Sequence, residues 1–432
     1  MIIKDFSGFM DFGVGIDSVN GNVRGLATTR PDPVTVPGTG GQTVAFTVHK
    51  TEKIEDLQTA LGLSVDAEAS FEMFGGSEKF DFMQQAKFHD YSLFFAVSID
   101  VMNQETHLIG EELIPTAAGL LAQGQNDRFR QEFGDFYMKG LQTGGQYFAV
   151  VEIVTLDTTD QTNISNELGG VGFFGSGVGD FQTNFNSTFQ KVSSNRTLNI
   201  NALQIGGAGD GAKQGVTPDE MLSKAAGFAT DIKANPVPYR AEFQDFQALN
   251  VPLPPNQAQV QAAKDVIAQY ASKRASLIQA QNDIDFIQQN PGQFTPPGGQ
   301  LDNNTLNTLS QQIAVALNLI TQSASRCMND ITACQFTAPV MPDLSKLPPR
   351  VSSNATMIQV PNDIIGQLFD VVAATSTFTS QLGLKLIKHD VPVLFNSGHV
   401  GKIMDANPQP GTNVPPGTTV DCGVGVAQLL RF

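Results

Sequence analysis

The chain has 432 residues, too many for one hydrophobic core, so two or three domains are expected. Forty-two acidic against 26 basic side chains give a net charge of −16. That balance excludes nucleic acid as a partner, because phosphate binding needs a basic face, and charge does not draw the protein to anionic lipid.

No apolar run approaches the roughly 18–20 residues of a membrane-spanning helix. The N-terminus, MIIKDFSGFMDFG, lacks the apolar core and small-residue cleavage site of a signal peptide. The expectation is a protein made soluble and secreted or released without a classical signal. Three cysteines do not make a disulfide framework. Thirty Phe stand beside five Tyr and no Trp, and 41 Gly suit turns and bends.

In residues 1–30, Gly13, Gly15, Gly21 and Gly25 punctuate the chain, and Asn20 with Gly21 reads as a hairpin turn. Residues 30–42 form a Pro/Gly-rich loop and 45–49 a short strand. In 67–92, Phe71 and Met73 alternate with polar residues. After Gly75 and Gly76 the phase slips, and Phe80, Phe82 and Phe88 alternate instead. Residues 91–102 read as a strand and 105–133 as carrying a helix. In 129–145, FRQEFGDFYMKGLQTGG, a strand-favouring run follows Phe133 and Gly134 and ends at Gly144 and Gly145. A glycine pair between two such runs marks a turn, a bulge or a bend.

Here the chain resembles the membrane-attack-complex/perforin family. Phe133, Gly134, Tyr137, Met138, Gly144 and Gly145 stand at that family's motif spacing, while Asp135 and Phe136 replace its usual Thr and His. The glycine pattern of residues 1–30 is similar to that family's opening.

In 163–193, Phe181, Phe185 and Phe189 are four apart. That spacing puts them on one helical face and equally on one strand face. Two readings stand: an amphipathic surface helix, or a segment helical in one state and a hairpin in another. Gly172 to Gly179 would be the hairpin tip, with Val171 just before it and Phe173 within it. A strand at 197–205 ends at Gly206 and Gly207. Thr217 and Pro218 look like a helix start, and 235–246, NPVPYRAEFQDF, resembles the way the perforin-like domain closes.

After a linker at 251–255, apolar stripes through 260–287 and 306–334 read as an antiparallel helical hairpin. Cys327 and Cys334 fall in the second stripe, where two turns of helix separate them by about 10 Å, too far for a bridge. Beyond a Pro/Ser linker at 335–355, the rest resembles a PASTA repeat, one helix on a three-stranded sheet. Val360, Pro361, Gly383, Asn407, Pro408, Gly411 and the run Val414 to Val420 carry that likeness. The PASTA family is mostly bacterial and often extracellular, which implies a surface receptor, glycan or cell-wall ligand.

Catalytic signals are poor. Gly170 to Gly175 fits a dinucleotide-binding pattern by letter but has no βαβ setting. His49, His89, His107, His389 and His399 are scattered without metal spacing and read as surface or packed residues. Cys422 reads as packed. No enzyme activity, cofactor or metal is expected.

The resemblance implies an α+β fold in three parts. Residues 1–250 form a bent, twisted four-stranded antiparallel sheet flanked by two helical clusters, 251–340 the helical hairpin, and 341–432 the PASTA-like targeting module. It implies that subunits assemble into a homo-oligomeric ring on a target-cell membrane. Each cluster then unfurls into a β-hairpin. The inserting residues would be Phe71, Met73, Phe80, Phe82 and Phe88 in the first segment, and Val171, Phe173, Phe181, Phe185 and Phe189 in the second. Gly144, Gly145, Gly206 and Gly207, with Phe133, Gly134 and Tyr137, would form the sheet hinge. Only a closed barrel pairs every backbone group in lipid. Absence of Trp sets the chain apart from the cholesterol-dependent branch, whose membrane-reading loop is Trp-rich. The alternative is a non-lytic surface adhesion protein that keeps the fold and never inserts.

Overall fold

The computed structural model describes residues 1–36, 41–63, 74, 77–155, 158–170, 185, 197–209, 211–251, 257–294, 300–350, 358–374, 384–394, 398–414 and 418–428. The chain opens with β1 (Ile2–Asp5), the hairpin of β2 (Val14–Ile16) and β3 (Val23–Leu26), and β4 (Val34–Thr35). β5 (Thr43–Thr51) leads into α1 (Ile54–Ala60) and α2 (Glu78–Gln85), then into β6 (Ser92–His107). Two short helices, α3 (Pro115–Ala122) and α4 (Asn126–Phe133), precede β7 (Phe136–Val154). α5 (Thr158–Gly170), β8 (Leu198–Ile205), β9 (Gly211–Gln214), α6 (Pro218–Ala234) and β10 (Val237–Asp245) follow. The long helices α7 (Gln257–Gln289) and α8 (Asn303–Asn329) lead to β11 (Ile358–Gln359), α9 (Phe369–Ala374), β12 (Lys385–Leu394), β13 (Ile403–Asn407), β14 (Asn413–Val414) and β15 (Thr419–Gln428).

The fold is mixed α+β around one large sheet, of ten strands among the described residues, wider than the four expected. β5, β6, β7 and β8 pair in that order, all antiparallel. Along β6, Leu93, Phe95, Val97, Ile99 and Val101 face one core, while Phe94 and Ala96 face another. Along β7 the same period of two sends Tyr147, Ala149, Val151 and Ile153 to the first core and Phe148 and Val150 to the second. Both faces of the sheet are therefore covered.

β7 is 19 residues long and continues unbroken through Gly144 and Gly145, so that pair is no turn. Residues 105–133, expected to carry a helix, carry two short ones. β6 runs on to His107, and Gly110 and Gly124, both at positive φ, separate two short helices from the strand and from each other. The capping of α6 follows its sequence: Thr217 accepts from the Glu220 N–H, and Pro218 takes the first turn.

α7 and α8 form the antiparallel hairpin, joined through Ile267, Tyr270, Leu277 and Ile284 against Leu306, Leu309, Ile313 and Ile320. The cysteine expectation fails. Cys327 and Cys334 form a disulfide, their Cα atoms 4.3 Å apart. The helix stops at Asn329, and Asp330 accepts the Thr332 N–H at 2.9 Å, so the chain doubles back instead of continuing upward. In the C-terminal part, β12, β15 and β13 make a three-stranded sheet, and Phe369 and Val372 of α9 share a core with Val420, Cys422 and Val424.

Candidate functional site: a glycine corner between two inserts

β7 changes partners on both edges. One edge pairs with β2 at Phe136 and Tyr137, then with β6 from Gly140 onward. The other pairs with β10 up to Gly144 and with β8 from Gln146. The second change falls at the glycine pair, and close packing there leaves no room for side chains. A Cβ on Gly144, whose φ is +151°, would lie 1.9 Å from the Val101 carbonyl oxygen. On Gly206, at φ +83°, it would lie 2.5 Å from Val237 and 3.1 Å from the Gly144 oxygen. Gly145 is closed in by Ile205 and Ile232, and Gly207 by Asp231. The four glycines thus meet at one corner of the sheet. Asp100 of β6 clamps it, accepting from the Tyr239 hydroxyl at 2.8 Å and from Arg240 at 2.6 Å, both on β10.

Phe133, Gly134 and Tyr137 lie elsewhere. Phe133 and Tyr137 pack with Ala117, Phe129 and Phe246. Gly134 ends α4 at φ +77°, where a Cβ would meet the Ile16 carbonyl oxygen at 2.1 Å. Tyr137 donates to the buried Glu111 carboxylate at 2.7 Å. Burial opposes that carboxylate's charge, but Tyr137 and Lys139 outweigh it and hold the group below the usual range. Asp135, at a motif position that differs from the family's, accepts the Ser18 N–H at 2.7 Å and so fastens the β2–β3 turn.

The first insert, residues 52–91, connects β5 to β6, and its described core residues lie on one sheet face. Phe80, Phe82 and Met83 of α2, with Phe88 and Leu57, pack on Phe94, Phe148 and Leu203. On the far side, Ala271, Ala275 and Ile278 of α7 complete the same core, so this insert is sandwiched. Lys79 is buried within it. Its ammonium lies 2.7 Å from Asp5 of β1 and 5.5 Å from the Phe148 ring centroid. Phe71 and Met73 lie outside the described residues.

The second insert, residues 155–197, connects β7 to β8, and its described core residues, Ile164, Leu168 and Phe185, lie on the opposite face. Ile164 and Leu168 of α5 join the core of Phe95 and Val151, which also takes Met221 and Phe228 of α6. Phe185 is fully buried, its ring 6.4 Å from that of Phe95 and at a steep angle to it. Val171, Phe173, Phe181 and Phe189 lie outside the described residues, as does most of 170–175.

Both inserts leave the same end of the sheet, beyond the pairs Thr51–Phe94 and Ile153–Leu198. A polar knot that sequence reasoning missed ties this end together. Glu152 of β7 meets His89 at 2.9 Å, Ser92 at 2.7 Å and Asn199 at 2.7 Å. Burial works against its charge, and these hydrogen bonds outweigh it, so the carboxyl sits low. The His89 ring stacks on Phe286 of α7 with centroids 4.1 Å apart. Asp283 of α7 accepts the Asp90 N–H at 2.9 Å, and Gln279 donates to the Asp90 carboxylate at 2.6 Å. Burial pushes the Asp283 carboxyl up to about 7, against the help of that N–H and aided by the neighbouring Asp90 charge. Arg350 donates to Tyr91 O at 2.9 Å and to Thr155, one residue from each insert's root. The helices described in the two inserts pack on opposite faces of a sheet whose strands already pair beside them.

No family model matches the sequence, and no curated protein matches it. Among solved structures, a stonustoxin structure is similar at 8% identity and a TM-score of 0.41, covering 77% of this chain and 42% of that one. GNIP1Aa from Chromobacterium piscinae is similar at 13% identity and a TM-score of 0.31, over 62% of this chain and 55% of that one. A putative cell invasion protein with a MAC/Perforin domain, from Bacteroides thetaiotaomicron, is similar at 14% identity and a TM-score of 0.25, over 56% and 52% respectively. The chain thus spans about half the length of these structures.

Proposed function

We propose that the protein is a pore-forming protein that assembles into a ring on a target membrane and inserts two β-hairpins per subunit. The observation that carries this reading is where the inserts are attached. Each joins two neighbouring antiparallel strands, β5 to β6 and β7 to β8, and both leave the same end of the sheet. Unfurling would therefore extend two existing hairpins and require no new topology. At about 20 residues per arm, each insert exceeds the roughly 9–11 residues a membrane strand needs. Side by side around a ring, the extended strands would close into a barrel and leave no backbone group unpaired in lipid.

In this reading Gly144, Gly145, Gly206 and Gly207 are the corner about which the sheet flattens. Phe80, Phe82, Phe88 and Phe185, buried in the stored form, become membrane-facing or lumen-facing by alternation. Residues 251–340 act as a cover for the first insert, and residues 341–432 as a PASTA-like module that brings the chain to a surface receptor, glycan or cell-wall ligand. The test is to incubate the protein with dye-loaded vesicles and image them. Dye release with rings or arcs on the lipid supports the proposal. Binding to cells or glycans without release would overturn it in favour of an adhesion protein.

A further inference from the structure

One row of the sheet, on the far side of the glycine corner from the inserts, plays no part in that proposal. His107 of β6 stands opposite Gly140 of β7, and Gly140 stands opposite Glu242 of β10. Three residues in one row across neighbouring strands share a face, and Glu105, two positions before His107, shares it too. Side chains on strands two apart start about 10 Å from each other, with the middle strand's side chain between them. Gly140 leaves that space open. A Cβ there would fall 2.7 Å from both Cδ2 and Nε2 of His107 and 3.0 Å from Cβ of Glu242.

The imidazole leans into the gap. Its Nε2 lies 2.6 Å from Glu105 Oε1 and 3.0 Å from Glu242 Oε2. The three donor atoms are all within 4.8 Å of one another, on half-buried side chains. Two carboxylates converge on one ring nitrogen, which has a single proton to offer them. The register shift in β6 between Met102 and Glu105 sets the face on which Glu105 emerges.

We propose that Glu105, His107 and Glu242 bind a divalent transition cation, with Zn²⁺ the preferred occupant. One imidazole nitrogen and two carboxylate oxygens are a donor set that Zn²⁺ accepts, with bonds of about 2.0–2.2 Å and water in the remaining position. At a tetrahedral ion such bonds put donor atoms about 3.4 Å apart, so the side chains need shift only slightly. The ion would replace the shared proton, neutralise the facing carboxylates and clip β6 to β10 across Gly140. The site stands independently of the pore-forming reading.

The test uses the full chain, titrated with Zn²⁺ by calorimetry and with Co²⁺ by visible absorption. One equivalent should bind, with Co²⁺ d–d bands and a rise in melting temperature on adding metal. Glu242→Gln and Glu105→Gln, nearly the same shape as the originals, should each weaken binding by at least about 10-fold. Gly140→Ala keeps every ligand but fills the gap, and should weaken binding as well. Circular dichroism identifies which variants fold, and each comparison is made on those. Absence of saturable binding, or equal affinity in the wild type and the folded variants, would overturn the assignment.

Discussion

The two inserts leave one end of the sheet yet are held differently. The first lies between the sheet and α7, with Lys79 buried against Asp5 and with Gln279 and Asp283 gripping its C-terminal end. The described part of the second packs on the opposite face, in a core shared with α6, and none of its described side chains joins the α7–α8 core. The contrast teaches that the first insert is held by the helical hairpin as well as the sheet, whereas the described part of the second is held on the sheet face with α6. In the proposed mechanism the hairpin must swing away before the first insert unfurls.

Four substitutions break or sharpen this contrast. Phe185→Ala has the largest expected effect, about 3–5 kcal/mol, because a fully buried ring is lost. Hydrogen exchange should rise first in α5, with α2 unaffected. Gly144→Ala comes next, at about 1–3 kcal/mol, because the new Cβ meets the Val101 carbonyl. It acts on the sheet, so denaturant unfolding should show both inserts weakened together. Lys79→Gln should cost about 1–2 kcal/mol and loosen α2 alone, again read by hydrogen exchange.

Asp283→Asn is the one stabilising change of the four, and its size depends on pH. The carboxyl sits at about 7 when folded against 3.8 as its ordinary value. A raised folded pKa means its contribution is fully present below the ordinary value and is lost as pH rises through the folded one. Asparagine keeps an oxygen for the Asp90 N–H and does not ionise. Thermal melts should therefore show Asp283→Asn gaining on the wild type between pH 4 and 7, by at least about 1 kcal/mol, and holding that advantage above pH 7.

Much of the sheet is legible in the sequence because burial on both faces leaves strong runs, as in β6 and the second half of β7. The glycine pair was legible as a special place but not as a kind of place. Glycine serves turns and close approaches alike, and only the partner exchange from β10 to β8 distinguishes them. The Cys327–Cys334 bridge was misread because apolar periodicity continued past the point where Asp330 ends the helix. The polar knot at the insert roots and the Glu105, His107 and Glu242 group join residues far apart in sequence. No local spacing announces them, although Glu105 and His107, two apart on a strand, already share a face.

The claim on which the rest depends is that a stored helical segment leaves the sheet when the protein acts. A disulfide engineered between α5 and β6, which pack in one core, ties the second insert down. Dye release from vesicles is then measured before and after reduction. The account predicts no release from the oxidised form and full release once the bridge is reduced. Equal release from both would contradict it.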